Sequence, residues 1–242
     1  MRVWIDTDVG DNPDDAVALV CAAAHPAIEL VGVSTTGGRT RWRAELARRL
    51  VTVEVVPGEQ PDDVARAFGS AAPDVLVAIG PLTNVAALLV VGAALPAVVA
   101  MGGALSPVRH RGRLRRVEWN FGADAGAAAV VVAGVDLTLV PLDVTVGMRL
   151  DSPALDRLLA ADRRLVPEVE RWQAQRDDPV VLHDPLALLV AADEPVVDIE
   201  RRPIAVDPHD GAVREEGATR EQDIVVSADT DAAIARVMEV LS

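Results

Sequence analysis

The chain alternates short β-branched runs with longer stretches rich in Ala, Leu and Arg, and this alternation is the feature that most constrains its fold. Strands are predicted over residues 2–5, 28–34, 52–56, 75–79, 97–101, 137–141, 199–206 and 223–226. Helices are predicted over residues 14–24, 40–51, 84–91, 123–133, 152–161 and 229–241. Several strand runs are apolar throughout, as in sheets covered on both faces. The pattern predicts one α/β domain over residues 1–242, a doubly wound, mostly parallel (Rossmann-like) sheet with helices on both faces.

The charged residues exclude several classes of function. The formal net charge is −14, which argues against nucleic-acid binding because contacts to a phosphate backbone rely on positive charge. All 23 basic residues are arginine. The lack of lysine excludes a Walker A phosphate loop, a Schiff-base lysine and a pyridoxal phosphate site in this chain.

Cysteine content and hydropathy bear on the compartment. The single cysteine, Cys21, excludes an intrachain disulfide and a thiolate zinc cage. No apolar run reaches the ~20 residues that span a bilayer, and the acidic residues near the start do not fit a secretory signal peptide. We therefore expect a cytoplasmic protein that binds no membrane.

The acidic loop, residues 5–16, places five carboxylates within ten residues directly after the first predicted strand. In a doubly wound sheet, ligands bind beyond the carboxyl ends of the strands. Carboxylates this close repel one another unless a cation or protons compensate, and a hard cation with oxygen ligands, Ca²⁺ or Mg²⁺, is the natural partner. The alternative is a solvated turn in which Asp14 and Asp15 cap the following helix, although such a cap does not need Asp6 or Asp8.

Three other acid or metal motifs do not fit this loop. An EF-hand needs glycine at the sixth loop position and glutamate at the twelfth. Counting from Asp6, the glycine is fifth and the twelfth residue is Val17. A haloacid-dehalogenase-like phosphotransferase also begins with strand-Asp-x-Asp, but that family uses a lysine. A zinc site needs clustered His or Cys, whereas the four histidines are scattered.

Six short motifs lie in a fixed order along most of the chain. They are Asp6-Thr7-Asp8-Val9-Gly10 with Asp14-Asp15, Gly80-Pro81-Leu82-Thr83-Asn84, Met101-Gly102-Gly103, Glu118-Trp119-Asn120 with Asp124, Leu142-Asp143-Val144-Thr145, and His183-Asp184-Pro185. Each motif alone is weak. Together and in this order they resemble the signature of the nucleoside hydrolase family, of the inosine/uridine-preferring type.

The resemblance implies an N-glycosidase with the nucleoside hydrolase fold and one bound Ca²⁺, which hydrolyses the bond between a ribose and a base. It implies that the ion is bound by Asp8, Asp15, Asp184 and the backbone carbonyl of Ile79. It also implies that Asp8 takes a proton from the attacking water as general base. A metal ion makes such a water easier to deprotonate. His183 would protonate the leaving base, since an imidazole titrates in the useful range.

The resemblance further implies which residues hold the substrate. Asp14 would bind the 2′-hydroxyl, Asn120 the 3′-hydroxyl and Glu118 the 5′-hydroxyl. Met101 would pack against the sugar, and Asp6 would brace the acidic loop from behind. Two tryptophans, at 119 and 172, are candidates for stacking on the base, although the second lies in an amphipathic stretch that favours core or interface packing over a base platform.

The chain is short for this family and departs from its pattern in several places. Residues 57–74 leave room for little more than one helix, where the family has a longer closing segment, and residues 149–180 look trimmed. Three residues separate Gly10 from Asp14, where the common signature has one, so Asp14 is displaced or Asp11 is added near the metal. Asparagines expected near residues 36–39 and 109–114 are absent. The arginine-rich segment 109–116 is predicted to be a solvated loop, a hairpin or a lid over the 5′ end of the substrate.

These departures leave two rival functions open. The first is a ribose- or nucleoside-binding protein on the same scaffold with little or no turnover. The second is a metal-dependent phosphatase or phosphotransferase, against which the missing lysine counts. The resemblance also implies a homo-oligomer, a dimer or tetramer, acting on a small nucleoside or related N-riboside.

Overall fold

The computed structural model describes residues 1–110, 112–176 and 178–242. Its strands are β1 (Arg2–Thr7), β2 (Glu29–Thr35), β3 (Val55–Pro57), β4 (Val75–Ala78), β5 (Ala97–Met101), β6 (Val108–His110), β7 (Arg113–Arg115), β8 (Leu137–Val140), β9 (Val197–Pro203), β10 (Ala205–Val206), β11 (Val213–Arg214) and β12 (Glu221–Ala228). Its helices are α1 (Asp14–Ala24), α2 (Thr40–Leu50), α3 (Pro61–Ala71), α4 (Thr83–Val90), α5 (Trp119–Ala123), α6 (Ala125–Gly134), α7 (Leu142–Thr145), α8 (Ser152–Ala161), α9 (Val166–Gln173), α10 (His183–Ala191) and α11 (Thr230–Val240). A 3-10 turn, Arg163–Leu165, precedes α9.

Eight strands form one sheet in the order β3-β2-β1-β4-β5-β8-β12-β9. Neighbouring strands are parallel except β12 and β9, which pair antiparallel at one edge. The chain leaves β1 for β2 and β3 on one side and returns to β4 and β5 on the other. This reversal of direction opens a crevice at the carboxyl ends of β1 and β4. The predicted doubly wound, mostly parallel α/β fold is confirmed.

Two apolar cores cover the two faces of the sheet. Because side chains alternate along a strand, β1 directs Val3 and Ile5 into one core and Trp4 into the other. The first core also takes apolar side chains from α1, α2, α8 and α10, and the second takes those of α3, α4 and α6. The Trp4 ring lies against Gly32 of β2, where a Cβ atom would stand 2.2 Å from the ring. That strand position therefore requires glycine.

Several predicted boundaries are wrong for identifiable reasons. The predicted strand 199–206 is divided, because β9 ends at Pro203, which has no N–H to donate to a sheet, and β10 pairs with β11 instead. The predicted helix 123–133 is two helices, because Asp124 interrupts it and caps α6 by accepting a hydrogen bond from Ala127 N at 3.1 Å. The predicted strand 52–56 pairs with β2 only from Val55 onward.

The structure also describes the segments in which the sequence departs from the nucleoside hydrolase pattern. Residues 57–74 contain the single helix α3, as predicted. Of the alternatives for residues 109–116, the structure has the hairpin, formed by antiparallel β6 and β7, and position 111 within it lies outside the described residues. The one cysteine, Cys21, is buried on α1 as predicted. In the part of the chain that the structure describes, no helix is long and apolar enough to cross a membrane.

Candidate active site

One cavity of about 850 Å³ lies beyond the carboxyl ends of the central strands. All but one of the residues predicted for the site line it. They are Asp8, Asp14, Asp15, Ile79, Met101, Glu118, Asn120, His183 and Asp184. The exception is Asp6, which was predicted to lie behind the site. Side chains separated by up to 176 positions in sequence therefore share one pocket.

Three buried carboxylates form a tight cluster on the cavity wall. Asp14, Asp15 and Asp184 each offer an oxygen, and these three oxygens lie within 4.8 Å of one another. The packing of α1 against α10 brings them together, because all three residues lie in the first turns of these helices. The N-cap residues of these helices, Pro13 and Leu182, form no side-chain cap hydrogen bond. The interpretation of Asp14 and Asp15 as helix caps stays an alternative.

Burial makes these carboxylates hard to ionise without a cation. Burial, followed by the neighbouring carboxylates, raises the pKa values of Asp15 and Asp184 well above the usual range. Asp8 has a pKa of about 7, raised chiefly by burial and opposed by the charge of Arg43. A cluster of buried oxygen donors with this much uncompensated repulsion suits a hard cation such as Ca²⁺ or Mg²⁺. The chemistry of the donor set thus fits the ion that the sequence implied.

Asp8 faces the same cavity but lies outside the tight cluster. Its Oδ2 atom is 4.0 Å from Nη2 of Arg43. Asp14 takes a place in the cluster that the sequence did not assign to it, because it was predicted to bind only the sugar. The role of Asp8 as a metal ligand stays a prediction.

Arg43, which the sequence did not single out, braces the acidic loop. Its buried guanidinium donates hydrogen bonds to the carbonyls of Asp8 and Val9, the latter at 3.0 Å, and its Nη2 donates to Asp11 Oδ2 at 2.7 Å. Asp11 also accepts from Arg39 at 2.6 Å. The three-residue spacing after Gly10 thus places Asp11 beside two arginines and Asp14 in the cluster.

Asp6 braces the loop from the other side. Its Oδ1 atom accepts hydrogen bonds from Ser34 Oγ at 2.6 Å and from Asn84 Nδ2 at 2.8 Å. Its Oδ2 atom is buried and accepts no hydrogen bond from the described residues. Burial raises the pKa of Asp6 to about 7. Asp6 therefore connects β1 with β2 and α4 beneath the site, which suits its predicted supporting position.

Glu118 and Asn120 are held by backbone groups at the other side of the cavity. Glu118 accepts hydrogen bonds from Asn120 N at 2.7 Å, Phe121 N at 3.1 Å and Gly103 N at 3.0 Å. Burial raises its pKa to about 7 against these three donors. Asn120 Nδ2 donates to the carbonyl of Met101 at 3.0 Å and to that of Ile79 at 3.3 Å. Both side chains are therefore fixed parts of the cavity wall rather than solvated loop residues.

His183 stands at the start of α10 beside a second histidine. Its Nδ1 atom is 2.8 Å from Thr145 Oγ1, and its ring lies edge-on to that of His110, with centroids 5.1 Å apart. His110 also lines the cavity, and the sequence analysis missed it. The sequence feature that could have indicated His110 is the alternation of side chains in β6, where Val108 and His110 are buried and Arg109 is exposed.

The two candidate tryptophans occupy different environments. Trp119 lines the cavity with 72% of its surface exposed. Trp172 is only 3% exposed and packs in the first apolar core. The interpretation of Trp172 as a base platform is wrong, and its interpretation as core is confirmed. Only Trp119 remains a candidate for stacking on a base.

Alanine substitutions should separate these two environments. We expect Trp119→Ala to weaken substrate binding by about 1–3 kcal/mol, because an aromatic face would be lost from the base, with little change in the melting temperature. We expect Trp172→Ala to lower the free energy of unfolding by about 3–5 kcal/mol through a core cavity. Steady-state kinetics and urea unfolding of both variants check this. An unchanged KM for Trp119→Ala would contradict the stacking role.

Comparison with known families decides what kind of protein carries this site. Residues 53–237, more than half of the chain, match the family described as inosine-uridine preferring nucleoside hydrolase. The chain belongs to this nucleoside hydrolase family. The sequence resemblance is thereby confirmed, and with it the expectation of an enzyme, because nucleoside hydrolases are N-glycosidases.

Curated relatives of this nucleoside hydrolase are distant. It is 29% identical over 208 residues to the pyrimidine-specific ribonucleoside hydrolase RihA of Shewanella sp., a match covering 65% of this chain and 64% of that protein. The chain thus spans less than two thirds of that relative. An uncharacterised protein of Schizosaccharomyces pombe is 28% identical over 224 residues, covering 71% of each.

Solved structures of nucleoside hydrolases have the same fold. A purine-preferring ribonucleoside hydrolase from Gardnerella vaginalis matches with a TM-score of 0.82 and 20% identity, covering 100% of this chain and 98% of that one. An inosine-guanosine nucleoside hydrolase matches with a TM-score of 0.81 and 19% identity, covering 99% and 98%. At such identities the similarity establishes the fold and leaves the substrate to the site itself.

Proposed function

We propose that this nucleoside hydrolase family member is a Ca²⁺-dependent ribohydrolase that cleaves the N-glycosidic bond of a ribonucleoside or related N-riboside. The observation that carries the proposal is the cluster of buried Asp14, Asp15 and Asp184 oxygens within 4.8 Å, in one cavity with Asp8 and His183. Such a cavity has a hard-cation site, a base and an acid within reach of one small ligand.

Ca²⁺ would be held by Asp15, Asp184, Asp8 and the carbonyl of Ile79, with Asp14 close enough to share the site. When bound, the ion supplies Lewis acidity toward water and a fixed positive charge for the sugar hydroxyls. It also makes the neighbouring carboxylates easier to ionise, so that Asp8 can act as a base at neutral pH.

Two residues of this chain, Asp8 and His183, account for both proton transfers of the hydrolysis. The Asp8 carboxylate accepts a proton from water while the water oxygen forms a bond to C1′ of the ribose. The C1′–N bond breaks and its electron pair leaves with the base. His183 donates a proton to the base nitrogen, so that neutral base and ribose are released. Positive charge develops on the ribose in the transition state, and the cavity carboxylates stabilise it electrostatically.

The hydrogen bonds within the cavity wall suggest how the ribose is oriented. Asn120 uses Nδ2 for two carbonyls, so we propose that its Oδ1 accepts the 3′-hydroxyl. Glu118 already accepts three backbone N–H groups, and a carboxylate has about four acceptor positions, which leaves about one for the 5′-hydroxyl. Asp14 would accept the 2′-hydroxyl, and Met101 would pack against the ring.

The direct test is release of the reducing end of ribose from a panel of nucleosides and nucleotides, with Ca²⁺ and then with a chelator. Ca²⁺-dependent release from any member supports the proposal and begins to define the base. Ca²⁺-dependent binding without release would indicate the binding-protein alternative. Phosphate release that depends on Mg²⁺ would indicate the phosphatase alternative and overturn the proposal.

Three expectations about the whole protein accompany this proposal. We propose that residues 1–242 form a single domain and that the protein is a homo-oligomer, a dimer or tetramer, located in the cytoplasm. Light scattering after size-exclusion chromatography measures the oligomeric state. Limited proteolysis tests the single domain, because a second domain would be released as a stable fragment.

The role of His183 predicts a dependence on the leaving group. We expect His183→Ala to lower kcat for a nucleoside by about 10²- to 10⁴-fold, the usual contribution of a general acid, with KM little changed. A p-nitrophenyl riboside should be cleaved nearly as fast by the variant as by the parent, because its leaving group departs without a proton. Equal losses on both substrates would contradict the assignment of His183 as the acid.

A further inference from the structure

The hairpin of β6 and β7 contributes two polar residues to the cavity lining, His110 and Arg115. Its first strand alternates inward Val108, outward Arg109 and inward His110, whereas all three residues of β7 are exposed. His110 is thus the buried side chain that β6 brings to the site, whereas Arg115 lines the cavity from an exposed strand. His110 meets His183 there edge-on, with an angle of 72° between the two rings and their centroids 5.1 Å apart.

Helix α7 holds both histidine-bearing segments. Asp143 accepts hydrogen bonds from Leu105 N at 2.7 Å and from Ser106 N at 2.8 Å, and Ser106 Oγ donates to the same carboxylate at 2.5 Å. These bonds fix the entry to the hairpin two residues before Val108. Two residues after Asp143 in α7, the Thr145 hydroxyl bonds to Nδ1 of His183.

We propose that His110 and Asp143 are positioning residues for His183, a role that rests on the proposed function. The Thr145 hydroxyl lies 2.8 Å from Nδ1 of His183, and the ring of His110 packs edge-on against the same imidazole. Aromatic rings prefer this edge-on geometry, so the contact favours one orientation of the His183 ring. Asp143 acts indirectly, because it holds the backbone of Leu105 and Ser106, which leads into the strand that carries His110.

The arrangement matters because proton donation depends steeply on position. A donor displaced by about 1 Å can cost about 10²-fold in rate even when the altered residue is not itself reacting. The four residues of α7 therefore set the relative placement of two segments that are 73 positions apart in sequence. The acid and its support are held as one unit rather than by separate loops.

The test uses His110→Ala, His110→Phe and Asp143→Ala, assayed on a nucleoside and on a p-nitrophenyl riboside. We expect His110→Ala and Asp143→Ala to lower kcat for the nucleoside about 10- to 100-fold, with KM and the activity on the activated riboside little changed. His110→Phe should restore most of the loss, because it keeps a ring beside His183. The double variant His110→Ala/His183→Ala should be no slower than His183→Ala alone.

Two control variants measure the effect of comparable changes elsewhere. Asp151→Ala removes a carboxylate that caps α8 through Ala154 N at 2.8 Å, and His25→Gln removes a buried imidazole at the opposite edge of the sheet, where it pairs with Glu194. Both should leave kcat unchanged on both substrates. Equal losses of activity on the two substrates in His110→Ala, or no loss on either, would overturn the inference.

A readout without turnover separates failure of this inference from failure of the proposed function. The chain has four histidines, so NMR spectra of protein labelled in the imidazole nitrogens can be assigned by substitution. We expect His110→Ala and Asp143→Ala to shift or broaden the His183 ring signals, and His110→Phe to do so less. If the protein releases no base from any substrate but these signals respond, the positioning holds and the hydrolase proposal fails. Unchanged His183 signals would overturn the positioning itself.

Discussion

Turnover of the Asp8→Ala variant is expected to fall by about 10³- to 10⁴-fold, at the upper end of what general base catalysis contributes. The carboxylate lines the cavity and is buried with a pKa of about 7, so it is poised to accept a proton near neutral pH. Because the family resemblance also makes Asp8 a metal ligand, we expect Ca²⁺ affinity to be lost with it. Ribose release and isothermal calorimetry with Ca²⁺ measure the two effects.

Asp11→Asn is the matched control for that variant. Asp11 lies three residues further along the same loop and lines the same cavity, but its carboxylate is half exposed and pairs with Arg39 and Arg43. We expect less than about a 10-fold change in kcat, because the exposed pair with Arg39 contributes only about 0–1 kcal/mol and asparagine keeps a side-chain oxygen that can accept from Arg43. If Asp8→Ala kept full activity, or if Asp11→Asn lost as much as Asp8→Ala, the assignment of the base would be wrong.

The Asp184→Asn variant should be inactive yet more stable than the parent when metal is removed. Burial and the charges of Asp14, Asp15 and Asp8 raise the pKa of Asp184 well above the usual range, so its ionised form opposes folding. At pH 8 in a chelator we expect the amide to raise the free energy of unfolding by about 1–3 kcal/mol, as in other replacements of buried charges. With Ca²⁺ at 100 times its Kd, only the parent should gain about 2.7 kcal/mol.

The pH dependence of this stability follows from the sign of the shift. A carboxyl whose pKa is higher in the folded than in the unfolded state stabilises the fold below its unfolded pKa of about 3.9. That stabilisation is lost as the pH rises through the folded pKa. The metal-free parent should therefore lose stability from about pH 4 upward, and Asp184→Asn should lose less. Urea unfolding in a chelator at pH 5 and pH 8 measures the difference.

Asp231→Asn provides the control for the stability measurement. Asp231 also lies in the first turn of a helix, α11, but it is exposed. Its substitution should change neither the Ca²⁺ response nor the pH dependence. A metal-free Asp184→Asn protein less stable than the parent at pH 8 would mean that the cluster is not electrostatically strained, and the argument for a bound cation would lose its basis.

In both predictions the buried carboxylates of the site destabilise the metal-free fold, and the same carboxylates are the groups that would bind a cation. Replacement of one buried acid should stabilise the metal-free protein and remove its activity, which is the usual relation between stability and a functional site. Asp6 extends the same pattern, with a buried Oδ2 atom that accepts no hydrogen bond from the described residues. A cation bound at this cluster would contribute folding free energy as well as reactivity.

The sequence by itself determined the architecture and the location of the site. Alternating apolar runs and helical stretches predict a parallel sheet because the two periodicities are local properties of the chain. Motifs that follow β1, β4, β5 and β8 had to meet at one edge, because the strands of a parallel sheet end on the same side. For this reason Asp8 and Met101 could be assigned to one edge of the sheet without coordinates, whereas Ile79 was assigned by the resemblance to nucleoside hydrolases.

Only the tertiary structure decided which side chains touch. Asp14, rather than Asp8, completes the tight cluster with Asp184 because α1 and α10 dock with their first turns together. Asp11 turns away because Arg43 reaches it from α2, 32 positions further along. The rings of His110 and His183 meet across 73 positions, and Asp143 accepts a hydrogen bond from Leu105 N before the hairpin that carries His110. Such contacts depend on helix docking and loop paths, which are set by packing over long sequence separations and leave no local periodicity to detect.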